Sequence, residues 1–190
     1  LADDGTSAKV FSTPNEEALQ DVSVNLHRLN LGELTSVIPY APHITGFLQT
    51  DAHLVQTAEN LSVVADLTVE DMAYEGVDLG NIGIGAVYLP NDDGTHFVDA
   101  RLSHDDTEVM TLSGAYRTLE EGEGNIHADL TLTDFPLTLA NGFIPDHLAT
   151  LEGMADGNLA VDGPTSQPDM EGWLATKGLR ILSSEYSLDL

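Results

Sequence analysis

Apolar and polar residues alternate with a period of two along most of this chain. In one example, mainly polar residues separate Leu61, Val63, Ala65, Leu67 and Val69. This alternation places the apolar side chains on one face of a β-strand. Because roughly ten segments with this pattern follow one another at regular spacing, the sequence predicts an all-β protein.

The predicted strands are spaced as in hairpins. The segment Leu89–Gly94, with its Pro-Asn-Asp-Asp-Gly run, is a strong turn signal that should close one of them. Sandwich strands are usually joined by turns of varied length, whereas here hairpin-sized connections continue along the chain. We therefore expect a long curved antiparallel meander that bends over its own apolar face and forms an open apolar groove.

The residues predicted to line this groove are large aliphatic ones in the apolar phase of the strands. Burying one such side chain contributes about 1.5–3 kcal/mol, against a net stability of about 5–15 kcal/mol for a whole domain. The apolar face must therefore be closed, paired with another chain or filled. We expect an amphiphile in the cell, and detergent, lipid or a second copy in a crystal. The predicted lining residues are Leu48, Leu54, Leu61, Val63, Leu67, Val69, Ile82, Ile84, Val98, Leu102, Leu112, Ile126, Leu130, Leu159 and Val161.

One passage occurs twice, roughly a hundred residues apart. Each copy consists of an alternating strand, a short apolar helix, a Pro-containing link and a glycine that opens another strand. The glycines are Gly46 and Gly153, and the copies extend over residues 22–80 and 126–190. A long period with little drift indicates duplication of a structural unit.

Helix signals are confined to these two passages, so the sequence predicts two short helices. Asn30 and Asp134 stand where N-caps are expected, because a short polar side chain can accept a hydrogen bond from the first turn. Pro39 and Pro145 follow as stops.

Charge and composition exclude several classes of function. Thirty-two acidic residues against six basic ones give a formal net charge of -26, which repels nucleic acids and anionic membrane surfaces. The chain contains no cysteine, its seven histidines lack the paired spacing of zinc sites, and no Gly-x-Ser-x-Gly motif is present. We predict no catalytic, cofactor or metal site.

The chain begins at Leu1 without a methionine and ends within an apolar alternation at Leu190. We interpret residues 1–190 as a single fragment of a longer repetitive β-groove protein. No linker rich in Gly, Ser or Pro divides it.

Short glycine, proline and aliphatic spacings relate the chain to a known family. The segments Asp134–Pro145, Leu151–Gly153 and Gly157–Leu174 resemble the C-terminal region of the TamB family of AsmA-like, bridge-like lipid transfer proteins. The first copy is similar to the same unit as far as Tyr74–Gly80, whereas residues 91–124 carry none of the family's motifs.

The resemblance implies a periplasmic protein, held in the inner membrane by a helix outside this fragment, whose sheet curls into an apolar groove. It implies an outer-membrane barrel of the TamA or BamA type as a partner. The implied role is phospholipid transport to the outer membrane or assistance in assembling its proteins, and the family has no catalytic residues to carry over.

Another class of protein is compatible with the same pattern. A structural or adhesive β-array at the cell surface would have a closed, dry core, and the parent chain of such an array need not carry a membrane helix. An enzyme is a more distant alternative, because the sequence has no constellation of nucleophile, base and orienting group.

Overall fold

A computed structural model describes residues 5–13, 19–58, 60–118, 124–144, 148–183 and 188–189. They form eleven strands, one short α-helix and one 3₁₀ helix. The elements are β1 (Ser7–Ser12), β2 (Gln20–Asn30), α1 (Leu31–Ser36), β3 (Ile44–Gln56), β4 (Leu61–Tyr74), β5 (Val77–Pro90), β6 (Thr95–His104), β7 (Thr107–Thr118), β8 (Gly124–Pro136), the 3₁₀ helix (Leu137–Phe143), β9 (Thr150–Pro164), β10 (Asp169–Ser183) and β11 (Leu188–Asp189).

All eleven strands belong to one sheet in which each strand pairs with its neighbour in sequence. The order runs from β1 to β11 without a crossover, and every pairing is antiparallel. The prediction of an all-β curved meander with two short helices is confirmed. Residues 95–118, which lack family motifs, form β6 and β7 and continue the sheet without interruption.

Bulges interrupt the strands near one end of the sheet. Arg28 in β2, Asp71 in β4, Asp134 in β8 and Gly178 in β10 each have a positive φ and lie where their strand has one residue more than its partner. A bulge bends its strand and increases the local twist. The row of bulges therefore curves the sheet at this end, which is also where both helices lie.

The duplicated glycines face these bulges. Gly46 has a φ of 124°, and a Cβ atom there would lie 2.7 Å from Cγ1 of Val69. Gly153 has a φ of 111°, and a Cβ atom there would lie 2.7 Å from the carbonyl oxygen of Gly178. Both positions require glycine because an L-side chain meets both strain and a clash.

The two helices start differently. Asn30 caps α1 as predicted, since its Oδ1 accepts a hydrogen bond from the Glu33 N–H at 3.2 Å, and the helix ends before Pro39. The prediction of Asp134 as an N-cap is wrong: β8 continues to Pro136, and that residue precedes the 3₁₀ helix without a side-chain cap. Pro145 lies outside the described residues.

Asp134 fails as a cap because the bulge uses its polar groups. Its N–H donates to Asp156 Oδ1 at 2.9 Å, and Lys177 Nζ donates to its Oδ1 at 2.8 Å. These contacts join β8, β9 and β10 at the bulge, so the strand continues and the helix begins later.

A cluster of buried apolar side chains lies under the 3₁₀ helix. Leu139 of this helix is buried against Leu79, Ile82 and Val109, with Tyr74 among the partly buried side chains around them. The helix contacts β5 as well as β9, although β6, β7 and β8 separate those strands in the sheet. The sheet therefore curls around the helix, which closes the groove at this end.

Candidate apolar groove

The strand register puts every predicted lining residue on one face of the sheet. In an antiparallel sheet, residues directly opposite each other point to the same side. Leu54 lies opposite Val63, which lies opposite Tyr88, which in turn lies opposite Val98. Corresponding rows join the other members, and we call their side of the sheet the apolar face. One of these rows contains Ala52, Ala65, Ala86, Ala100, Leu112, Leu130 and Leu159.

The predicted residues differ in how much surface they leave open. Val69 and Ile82 are 8% and 6% exposed, so this chain itself covers them. Ile84 is 41% exposed and lies farther from the closed end on the same strand as Ile82. The remaining predicted residues are either exposed or half-buried. The exposed group contains Leu61, Val98 and Leu159 in addition to Ile84. The half-buried group contains Leu48, Leu54, Val63, Leu67, Leu102, Leu112, Ile126, Leu130 and Val161.

A row of small side chains runs across the middle of the apolar face. Ala52, Ala65, Ala86 and Ala100 lie directly opposite one another on β3 to β6 and are all half-buried. Larger residues flank this alanine row on both sides, as Ile84 and Tyr88 do on β5. The alanines lower the floor of the groove. Sequence reasoning missed them because it selected only large aliphatic residues, although the alanines share the same alternating phase.

The groove deepens over β8, β9 and β10. An open cavity of about 400 Å³ lies there between Leu130, Leu132, Leu159 and Leu174. Gly157 and Gly172 occupy the apolar-face positions between these leucines and contribute no side chain, while Asn158 and Trp173 complete the lining. A cavity of this size with aliphatic side-chain walls suits hydrocarbon, since ligand sites are typically about 300–1,000 Å³ and mainly apolar.

A short aromatic ladder crosses the end of the apolar face opposite to the 3₁₀ helix. Tyr88, His96 and Tyr116 lie on β5, β6 and β7, and the His96 ring is 6.0 Å from each tyrosine ring between centroids. The Tyr88 hydroxyl and His96 Nδ1 form a hydrogen bond of 2.9 Å. Sequence reasoning missed this group, although Tyr88 shares the phase of Ile84 and His96 that of Val98.

The other face of the sheet carries most of the charge. Arg101 on β6 forms an ion pair with Asp66 on β4 at 2.6 Å, passing over Gly85 of β5. Further along the sheet, His127 lies 3.1 Å from Asp162. We call this side the polar face.

Two carboxyl groups and a lysine near the bulges and turns have pKa values that differ from their ordinary ones. The Asp134 N–H and the Lys177 ammonium, which donate to Asp156, lower the pKa of Asp156 below its ordinary 3.8. Asp134 and Asp156 together raise the pKa of Lys177. At the turn between β5 and β6, hydrogen bonds from Thr95 lower the pKa of Asp93. The contacts behind the first two shifts join β8, β9 and β10 at the bulge.

The histidines that the structure describes do not converge. His27, His53 and His127 lie in the polar-face register, His96 belongs to the ladder, and His147 lies outside the described residues. Within the described ranges, no group of three or more His, Asp or Glu side chains could hold a metal ion. In the same part of the chain, no helix has the length and apolar character needed to span a membrane.

The chain has no match among protein-family models, curated proteins or solved structures. The resemblance to the TamB family therefore remains a prediction.

Proposed function

We propose that this protein is a segment of a TamB-like periplasmic bridge that shields acyl chains, or apolar client segments, in its β-groove. The observation that carries the proposal is a continuous apolar sheet face that, away from the end under the 3₁₀ helix, has no second layer over it in the described part of the chain. Only six hydrophobic side chains there are buried: Val69, Leu79, Ile82, Val109, Leu139 and Ala155.

Exposure of such a face to water is unfavourable in free energy. Each aliphatic side chain contributes about 1.5–3 kcal/mol when it is fully covered. The exposed Ile84, Val98 and Leu159 and the half-buried residues around them retain much of that free energy for a ligand. Because the groove is open along most of its length, a flexible hydrocarbon chain can enter from the side without the sheet having to separate.

The cellular setting of the proposal comes from the family resemblance. In that setting the groove supports phospholipid transport to the outer membrane or the assembly of its proteins, with an outer-membrane barrel of the TamA or BamA type as partner. An inner-membrane anchor would belong to a part of the protein outside this chain. The acidic polar face suits a surface that passes through water while the apolar face holds the cargo.

The test is a charge placed on the open floor of the groove. Ile84→Asp puts a carboxylate between apolar rows, and Thr131→Asp adds the same charge to an exposed position on the polar face of β8. We expect wild type and Thr131→Asp to bind a fluorescent acyl probe and to retain phospholipid through purification, and we expect Ile84→Asp to lose both. A folded Ile84→Asp variant that binds as wild type does, or a lipid-free wild type that takes up no probe, would overturn the proposal.

A further inference from the structure

The groove has two unlike ends. At one end the 3₁₀ helix and the buried Leu79 and Ile82 form a closed apolar stop. At the other end the aromatic ladder of Tyr88, His96 and Tyr116 carries polar atoms on the same face. Ile82 and Tyr88 belong to one strand, and their spacing corresponds to roughly 20 Å at about 3.4 Å per residue.

The ladder has polar groups that can form hydrogen bonds with a ligand. We assign the Tyr88 phenol as the donor in its hydrogen bond with His96 Nδ1, and this tautomer carries the imidazole proton on Nε2. Within the described part of the chain, neither His96 Nε2 nor the Tyr116 hydroxyl has a protein hydrogen-bond partner. Both side chains are partly accessible, His96 half-buried and Tyr116 at 36% exposure. A ligand oxygen at the ladder can therefore accept from them.

The geometry points to one orientation of the bound amphiphile: the ladder binds its oxygen-bearing head group, and its acyl chain lies along the strands toward the closed end. This inference rests on the proposed function and adds which part of the ligand each end receives. One leaflet of hydrocarbon is about 15 Å thick, so a single acyl chain fits the roughly 20 Å between ladder and stop.

The charge of the protein restricts the head group further. A formal net charge of -26 disfavours an anionic ligand, and Asp92 and Asp93 lie in the turn beside the ladder. The head group is therefore uncharged or zwitterionic, with ester, hydroxyl or phosphate oxygens that accept hydrogen bonds.

Paramagnetic broadening of methyl signals tests the orientation directly. The probe is lysophosphatidylcholine with a nitroxide either beside the glycerol or at the terminal methyl, added below its critical micelle concentration. The head label should broaden Val98 more than Leu79 and Leu139, and the tail label should broaden Leu79 and Leu139 more than Val98. A reversed pattern, or equal broadening of both ends by both labels, overturns the orientation. Failure of the unlabelled lipid to bind at all overturns the proposed function instead.

A variant of the ladder tests the role of the head-group contact. His96→Phe keeps an aromatic ring between the two tyrosines and removes the N–H donor. We expect about three- to tenfold weaker binding of lysophosphatidylcholine, the range for one hydrogen bond, and unchanged binding of an alkane of equal chain length. His127→Phe, the same change on the polar face, should alter neither. Equal weakening of both ligands by His96→Phe would mean that the ring only packs, and would overturn head-group recognition.

A second variant keeps this test independent of how Phe fits at position 96. Tyr88→Phe preserves the ring and removes the hydroxyl that holds the His96 tautomer. A selective loss of lysophosphatidylcholine affinity smaller than that of His96→Phe is expected, because the imidazole keeps its N–H and loses only the partner that orients it. Full retention of that affinity in both variants contradicts the proposal.

Discussion

Tyr74 on β4 stacks on Phe143 at the end of the 3₁₀ helix, with ring centroids 5.4 Å apart and an angle of 28° between the rings. The helix connects β8 to β9, so this contact bridges strands that lie far apart in the sheet order. A flat sheet could not make it. The stack therefore marks the place where the meander has curled far enough for its apolar face to meet a cover from the same chain.

The closed end should hold much of the stability of the fold. Leu139 is 6% exposed in the cluster under the 3₁₀ helix, whereas Leu34 of α1 is 43% exposed. Leu139→Ala should lower the free energy of unfolding by about 2–5 kcal/mol, the range for a leucine in a packed core. Leu34→Ala, the same truncation in the other helix, should cost less than about 1 kcal/mol. Urea denaturation measures both, and equal effects would show that the 3₁₀ helix does not close the groove.

The duplicated glycines should be intolerant of a side chain. Gly153→Ala places a Cβ 2.7 Å from the Lys177 and Gly178 carbonyl oxygens at a φ of 111°. We expect a loss of at least about 2 kcal/mol, since the backbone strain alone costs about 1–3 kcal/mol. Gly83→Ala is the matched control, because its φ is not positive and its Cβ would meet only Ser103, with Cβ at 3.4 Å and Oγ at 3.8 Å. Thermal melting would contradict this account if both variants behaved alike.

The parts of the fold that follow from local alternation could be predicted from the sequence. All fifteen lining residues share one face because strand phase is a local property with a period of two. The bulge at Asp134 could not be predicted, since it depends on Asp156 and Lys177 from the next two strands. For the same reason, the sequence pattern predicted a cap where the structure has an ion-paired bulge.

The aromatic ladder could not be predicted from the pattern of single strands either. Tyr88, His96 and Tyr116 are isolated in sequence, and only the register of three strands brings them together. Likewise the covering of Ile82 depends on Leu139, more than fifty residues away along the chain. The pattern within one strand predicts which face of the sheet a residue lies on. Which residues cover it or cluster with it depends on strand pairing and on the curvature of the sheet.

The ion pairs of Lys177 should make stability depend on pH at both extremes. The pKa of Asp156 is lowered in the folded protein, so its contribution is present above the ordinary value of 3.8 and is lost as the pH falls below it. The pKa of Lys177 is raised, so its contribution is present below 10.5 and is lost as the pH rises above that value.

Lys177→Met should remove the lysine's alkaline limb and weaken the acid limb, because the Asp134 N–H still lowers the pKa of Asp156 without the cation. Urea midpoints measured from acid to alkaline pH give the profile. Lys9→Met on β1 removes an equal charge away from the bulges and should leave the shape unchanged. An identical flattening in both variants would indicate a general charge effect, which an acidic protein can also show.

Filling the alanine row should block the groove without adding charge. Ala86→Phe places a large ring on the floor between Ala65 and Ala100, where the open side of the sheet gives it room, so folding should be little affected. Binding of an acyl probe should weaken about tenfold or more, since each CH₂ kept out of apolar contact forfeits about 0.8 kcal/mol.

Ala160→Phe adds the same ring on the polar face opposite Asp129 and should bind the probe as wild type does. Because the two variants have equal hydrophobicity and differ only in the face that carries the ring, weaker binding in Ala86→Phe alone would locate the acyl chain over the alanine row, and unchanged binding would place it elsewhere.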